Sequence, residues 1–316
     1  MIMYLVLIGA VFLLSLIIGR IAVVKLRELK LAQTIRDDGP KSHFEKVGTP
    51  SMGGIIFIIP ITIASFFLMP AAVLPLLAML AYGALGMYDD LEKRAIKKGK
   101  GLSVKKKFLL QILAGLILAV VAFFVNGGSV IGFSNSVSFS INIIVYFIFM
   151  TIYFVGVTNA VNLTDGLDGL STMVTLPIVV VFILISLLQG NYQMVGVCGI
   201  ILVALLGFLI FNLHPAKIFM GDTGSMALGA LIAGIAVVLK VELLLLILGL
   251  VYIAETVSVM LQVPYFKTTG GNRFFKMAPL HHHFELSGMK ETSVVKWFTI
   301  ASCIISLIAF IIYWSI

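Results

Sequence analysis

Residues 159–169 read Asn-Ala-Val-Asn-Leu-Thr-Asp-Gly-Leu-Asp-Gly, which sets two carboxylates, two carboxamides and two glycines between long apolar runs. Asp165 and Asp168 offer hard oxygen ligands suited to Mg²⁺, and Gly166 and Gly169 let backbone N–H groups approach a phosphate or a flat ring. The same residue types make ordinary turns, so this segment alone supports a site and a connecting turn equally. Asp89 and Asp90 form an adjacent pair ahead of a basic run that begins at Lys93. Neighbours on a helix point about 100° apart, so two different roles suit the pair better than one shared metal. In the stretch 211–225, Asp222 stands between Gly221 and Gly224 at a loop-to-helix junction. It has the chemistry of a Mg²⁺ ligand, with neighbouring amides facing phosphate oxygens, and the plain alternative is a helix cap. Phe219 either stacks on a base or packs. His281, His282 and His283 are consecutive, so a helix would aim them in three directions and they suit hydrogen bonds to phosphate or sugar better than one zinc site. Glu255 lies inside an apolar run, where a carboxylate is either functional or a hydrogen-bonded structural group.

The elements that must position these residues are membrane helices. Hydrophobic residues make up 60% of the 316 and charged residues 11%, with a mean hydropathy of +1.14. That composition excludes a soluble globular domain. About 20 apolar residues span a bilayer. Ten spans are expected, over 3–24, 53–69, 71–88, 108–125, 141–158, 170–188, 193–211, 225–240, 243–263 and 296–315, within one integral-membrane domain covering 1–316. Basic residues cluster after the first span (Lys25, Arg27, Lys30, Arg36, Lys41, Lys46), after the third (Lys93 to Lys107) and around the ninth-to-tenth connection (Lys267, Arg273, Lys276, Lys290). The positive-inside rule then makes those connections cytoplasmic and puts both termini outside. The net charge of +8 is mainly this orientation signal, and it draws anionic lipid headgroups and phosphate-bearing substrates to the same face. Nucleic acid is not implied, because no soluble domain is present to carry a groove reader. Residues 126–142 alternate apolar and small polar types and predict a short hairpin on the outer face. Cys198 and Cys303 lie in apolar spans, which supports neither a disulfide nor a thiolate metal site.

With that topology, Asp89, Asp90, Asp165, Asp168 and Asp222 come from three loops on one face. Moving an Asp into hydrocarbon costs roughly 2.5 to 3.5 kcal/mol, so acids at cytoplasmic span ends belong to an interfacial cleft. An ion-coupled transporter would instead carry acids at mid-membrane on interrupted, paired helices.

The assembled motifs resemble the polyprenyl-phosphate N-acetylhexosamine-1-phosphate transferases along essentially the whole chain. The markers are Gly48-Thr49-Pro50-Ser51-Met52-Gly53-Gly54, Asp89-Asp90, Leu102-Ser103-Val104-Lys105-Lys106-Lys107, the segment 159–169, Phe219-Met220-Gly221-Asp222-Thr223-Gly224-Ser225, and Ala278-Pro279-Leu280-His281-His282-His283-Phe284-Glu285. The last of these is similar to the branch acting on UDP-MurNAc-pentapeptide and differs from relatives that use N-acetylglucosamine, so another UDP-sugar is the alternative substrate. The resemblance implies an all-α polytopic homodimer in the bacterial cytoplasmic membrane. It further implies transfer of phospho-MurNAc-pentapeptide from UDP to undecaprenyl phosphate, giving lipid I and UMP with Mg²⁺ required, at a site facing the cytoplasm. Carried over, it makes Asp89, Asp90, Asp222, His282 and His283 catalytic, with Asp222 the metal ligand. Lys46, Lys105, Asn159, Asn162, Asp165, Gly166, Leu167, Asp168, Asn212, Phe219, Gly221 and His281 become substrate contacts, with uridine at Gly166, Leu167, Asp168, Phe219 and Gly221.

Overall fold

A computed structural model describes residues 2–29, 46, 48–95 and 101–316. Of the basic residues that set the orientation, Lys30, Arg36, Lys41, Lys97, Lys98 and Lys100 lie outside them. The helices are α1 (Ile2–Glu28), α2 (Ile55–Ser65), α3 (Val73–Ala95), α4 (Val104–Asn126), α5 (Ile143–Thr164), α6 (Leu170–Leu188), α7 (Tyr192–Asn212), α8 (Gly221–Val238), α9 (Leu244–Leu248), α10 (Leu250–Thr268), α11 (Leu280–Leu286) and α12 (Glu291–Ser315). The chain is thus an all-α polytopic membrane protein. Among the described residues, seven helices are long and apolar enough to cross a membrane: α1, α4, α5, α6, α7, α8 and α12.

Local chemistry sets several ends. Ser103, Asn142 and Asn191 accept from the amides of Lys106, Ile144 and Met194, capping α4, α5 and α7. Gly127, left-handed, closes α4. The helix α8 is the axis of the bundle, and residues 223–237 are buried along its length. Around it the outer helices turn Leu13, Ile17, Leu113, Ile117, Leu307 and Ile311 outward, as hydrocarbon requires. Helix α3 lies directly on α8: a Cβ added at Gly86 would stand 2.0 Å from the Asp222 carbonyl oxygen, so only glycine permits this approach.

The structure moves several expected boundaries. Apolar runs under-read α3 and α5, whose helices continue through Asp89-Asp90 and Asn159-Asn162 to Ala95 and Thr164. The polar residues there are the last turns of helices and not loops, because backbone hydrogen bonding does not stop where hydrophobicity does. The expected span 243–263 is broken at Gly249 into α9 and α10. The hairpin is present as β1 (Val130–Gly132) and β2 (Ser138–Ser140), antiparallel with Val130 opposite Ser140. Glu242 pins it, accepting from the Gly132 amide at 2.9 Å. Burial pushes that carboxyl up to about 7. Glu242 follows α8 at the end opposite Asp222, so hairpin and acids sit at opposite ends of the bundle.

The topology is testable without chemistry. In a Cys303→Ser background, Ser136→Cys on the exposed hairpin tip is expected to react with an impermeant thiol reagent in intact cells, and Asn272→Cys only after permeabilisation. The reverse pattern would invert the orientation.

Candidate active site

Three helices, α3, α4 and α5, deliver polar side chains to the N-terminal end of α8. Gly221 starts that helix with φ +71°, and a Cβ there would meet Ser51 Oγ at 2.6 Å and Asp90 Oδ2 at 2.7 Å. The exposed N–H groups of the first turn need acceptors. Asp90 supplies them from α3: its oxygens accept from Asp222 N (3.2 Å), Thr223 N (2.9 Å) and Thr223 Oγ1 (2.7 Å). A carboxylate at a helix N-terminus is also favoured by the helix dipole. The two adjacent acids therefore do different work, as the 100° offset suggested. Asp89 accepts from Leu102 N at 2.8 Å and faces Lys93 (3.0 Å) and Lys107 (3.3 Å).

Asp222 completes the cluster. Its Oδ2 lies 3.1 Å from Lys93 Nζ and bonds Lys107 Nζ, while Oδ1 accepts from Asn162 Nδ2 at 3.2 Å. Lys93 Nζ also stands 3.5 Å from Asp90 Oδ1. One ammonium thus sits among three carboxylates, the environment a small divalent cation would also find favourable. Asn162 is held by Ser225 Oγ (2.7 Å), and Asn159 by Gln111 Oε1 (2.8 Å). On α4, Lys105 is exposed and Lys107 turns inward, because residues two apart on a helix point about 200° apart. The inward lysines Lys93 and Lys107 were not singled out in the sequence, where they are indistinguishable from their basic neighbours.

A second charged group lies beside the first. Asp168 Oδ1 meets Lys46 Nζ at 2.7 Å, and Oδ2 faces His214 Nδ1 at 3.0 Å and accepts from Ala216 N at 3.1 Å. Asp168, His214 and Glu291 bring three donor atoms within 4.8 Å of one another, a spacing that could hold a metal ion. The Asp168 side chain is only 1% exposed and its oxygens already meet fixed partners, so a metal here would have to displace them. The Asp222 side chain, at 16%, is the more accessible carboxylate. Asn212 is buried and braces the adjoining turns, accepting from Gly169 N and donating to Ile218 O. Phe219 is half-buried, 5.9 Å from Lys46 Nζ across its ring. Its backbone pairs with the segment 50–54: Phe219 N donates to Pro50 O, and Gly53 N to Phe219 O, both at 2.8 Å. Asp165, just past α5, makes no side-chain hydrogen bond among the described residues. Burial, then the carboxylates of Asp222, Asp90 and Asp168, hold its carboxyl well above the usual range.

The histidines diverge. His281 N and Nδ1 both meet Glu255 Oε1, at 3.2 and 3.1 Å, deep in the protein. A carboxylate only accepts, so the ring donates from Nδ1 and turns Nε2 toward Gly166. His282 Nδ1 faces Glu285 Oε2 at 3.1 Å. His283 Nδ1 accepts from Lys276 N at 3.1 Å, tying α11 to the preceding loop. Glu255, ambiguous in sequence, is the anchor of His281.

Residues 72–240, more than half of the chain, match the family described as Glycosyl transferase family 4. Residues 46–58 match the Phospho-N-acetylmuramoyl-pentapeptide-transferase signature 1. A phospho-N-acetylmuramoyl-pentapeptide-transferase of Clostridium acetobutylicum is 46% identical over 304 residues, covering 95% of this chain and 96% of the relative. Proteins of the same name from Clostridium novyi and Desulforamulus reducens are each 43% identical, covering 95% of this chain and 94% and 92% of theirs. The chain belongs to the phospho-N-acetylmuramoyl-pentapeptide-transferase family. The signature segment of this transferase family is the one that pairs with Phe219 and carries Lys46, so its match falls on a wall of the site.

The pin between Asp90 and α8 has a measurable cost. Asp90→Ala strands three donors and should lower stability by about 3 kcal/mol, against about 1 kcal/mol for Thr223→Val, in detergent unfolding. Equal losses would mean that Asp90 is not what holds the end of α8.

Proposed function

We propose that this chain transfers phospho-MurNAc-pentapeptide from UDP to undecaprenyl phosphate, making lipid I and releasing UMP. It would act as a Mg²⁺-dependent homodimer in the bacterial cytoplasmic membrane, with the acid-rich end toward the cytoplasm. The observation that carries this reading is the convergence of Asp89, Asp90 and Asp222 with Lys93 and Lys107 at one end of an apolar bundle. A soluble nucleotide and a lipid phosphate can meet only at such an interface, and two anions approach only where charge is compensated. A groove of about 610 Å³ between α4 and α5 adds support. It is lined by Phe108, Ile112, Leu116, Ile152, Val155 and Gly156, and so starts beside Lys107 and within a turn of Asn159. An isoprenoid tail there would carry its phosphate to the lysines.

The three carboxylates around one ammonium fit a hard divalent cation, and Asp222 is the residue that would hold it. Bound Mg²⁺ would supply charge neutralisation on the diphosphate. Lys93 and Lys107 then have carboxylates to leave and phosphate oxygens to take. Phe219 stacks on uracil, with Gly166, Leu167, Asp168 and Gly221 completing that pocket and Lys46, paired with Asp168, beside the Phe219 ring. Asn159 and Asn162 order the phosphates, Lys105 meets them from the rim, and the polar remainder lies toward His281, His282 and His283. An oxygen of the lipid phosphate attacks the sugar-bearing phosphorus, the bond to the bridging oxygen breaks, and UMP leaves. Asp89 orients that phosphate and takes any remaining proton. Direct attack is favoured over an aspartyl intermediate because a phosphate monoester with a second pKa near 6 is already largely dianionic at pH 7 and needs little activation.

Purified protein is expected to release UMP from UDP-MurNAc-pentapeptide only when undecaprenyl phosphate and Mg²⁺ are both present; release without the lipid would refute direct attack. Asp222→Asn should abolish transfer in a folded protein, and activity within a few-fold of wild type at saturating Mg²⁺ would remove the ligand assignment.

Asp89→Asn separates the two chemical routes. A phosphate monoester has a second pKa near 6, so raising pH above it should recover part of the lost rate if Asp89 only removes that proton. A mutant inactive at every pH, with a phospho-sugar trapped on Asp89 of wild type, would establish the covalent route.

A further inference from the structure

The Lys46–Asp168 pair is itself held by a residue that no sequence motif marked. Glu291 is the first residue of α12, and its Oε1 accepts from Lys46 Nζ at 2.6 Å and from Asp168 N at 2.8 Å. Its Oε2 lies 3.6 Å from His214 Nδ1. One oxygen therefore fixes both an ammonium and a turn amide, joining segments that are 245 and 123 residues apart in sequence.

Each part of this arrangement needs the anchor. A lysine carries its charge on a flexible four-carbon stem, and two acceptors at 2.6 and 2.7 Å select one position for it. That position is beside the Phe219 ring, 5.9 Å from its centre. The anchor is rigid, because Val294 and Val295, one turn on, are buried in the bundle, and a negative side chain is favoured in the first turn of a helix. Remove Glu291 and the Asp168 amide loses its acceptor while Lys46 regains its rotamers.

We propose that Glu291 is a positioning residue for nucleotide recognition, acting through Lys46 and Asp168 without touching substrate itself. This rests on the placement of Lys46, Asp168 and Phe219 in the nucleotide subsite under the proposed function. Because that subsite is remote from the reacting phosphorus, the anchor contributes uniform binding, which moves affinity and KM and leaves kcat.

A double-mutant cycle tests it, read by calorimetric binding of UDP-MurNAc-pentapeptide and by turnover at saturation. Glu291→Ala should weaken binding about tenfold, a loss typical of one coupled charged contact, with kcat within about threefold of wild type. Glu291→Gln keeps an oxygen that accepts both bonds and should bind within about threefold of wild type. The double variant with Lys46→Ala should bind only a few-fold more weakly than Lys46→Ala alone, because the Asp168 amide is then all that the anchor still holds. Losses that multiply in the double variant, a Glu291→Ala that binds like wild type, or a fall in kcat with affinity kept would each overturn the inference. Should Glu291→Ala not stay folded, Glu291→Asp, too short to reach both donors, carries the same expectation. Wild-type protein that binds no UDP-sugar would overturn the proposed function, whereas binding by wild type with a multiplicative cycle overturns only the role of Glu291.

Discussion

Carboxylates at the edge of hydrocarbon must be neutralised before any substrate arrives, and the structure is organised around that requirement. Asp89, Asp90 and Asp222 are packed close together, and leaving such charges uncompensated out of water would cost several kcal/mol each. Two kinds of positive end meet them: the ammoniums of Lys93 and Lys107, and the amides at the start of α8. The second is the more demanding. It fixes where α8 begins, which requires Gly221 in a left-handed conformation, and it draws α3 so close that position 86 can carry no side chain. The depth of α8 in the bundle and the closeness of α3 are the packing consequences of an electrostatic need at one helix end.

The same requirement explains why the site is made twice over from acid and lysine. Lys46 between Asp168 and Glu291 repeats, a short distance away, the motif of Lys93 among Asp89, Asp90 and Asp222. In each place a lysine is held by carboxylates; under the proposed function Lys93 and Lys107 would exchange theirs for a substrate anion, whereas Lys46 stays on its anchor. Phosphate oxygens suit that exchange, because they match the charge of a carboxylate and offer more acceptor directions. Asp165 is the exception, half-buried with no side-chain hydrogen bond among the described residues, and burial together with the surrounding acids raises its affinity for a proton.

Much of this was legible in the sequence, and the reasons are particular. Hydrophobic run length marks membrane helices because the bilayer sets their span, so α1, α4, α6, α7 and α12 were found near their observed ranges. Run length fails where a helix emerges into water, and for that reason the last turns of α3 and α5 read as loops. Asp222 and Phe219 stood out because Gly-flanked acids and aromatics are unusual between spans. Lys93 and Lys107 did not, since each lies in a run of similar residues and only helical phase tells which lysine faces inward. Glu291 and His214 carried no signal at all: their partners are 46 to 245 residues distant, and nothing in a local pattern records a contact made across the bundle.

The histidine triplet shows how a compact motif can serve several mechanical ends. Three successive ring positions on one short helix meet three different partners: Glu255 on α10, Glu285 on α11 itself, and the backbone of Lys276 in the preceding loop. His281 and His282 each set a ring nitrogen against a carboxylate, and His281, the more deeply buried, has its Nε2 where a side chain on Gly166 would stand. The triplet is therefore less a cluster than a bracket. His281 sets the distance between α10 and the turn that carries Asp165 and Asp168, and His283 fixes the loop that leads into α11. A substitution at either position would move walls of the cleft before it removed any contact to substrate, so a loss of activity there is not by itself a sign of chemistry at the imidazole.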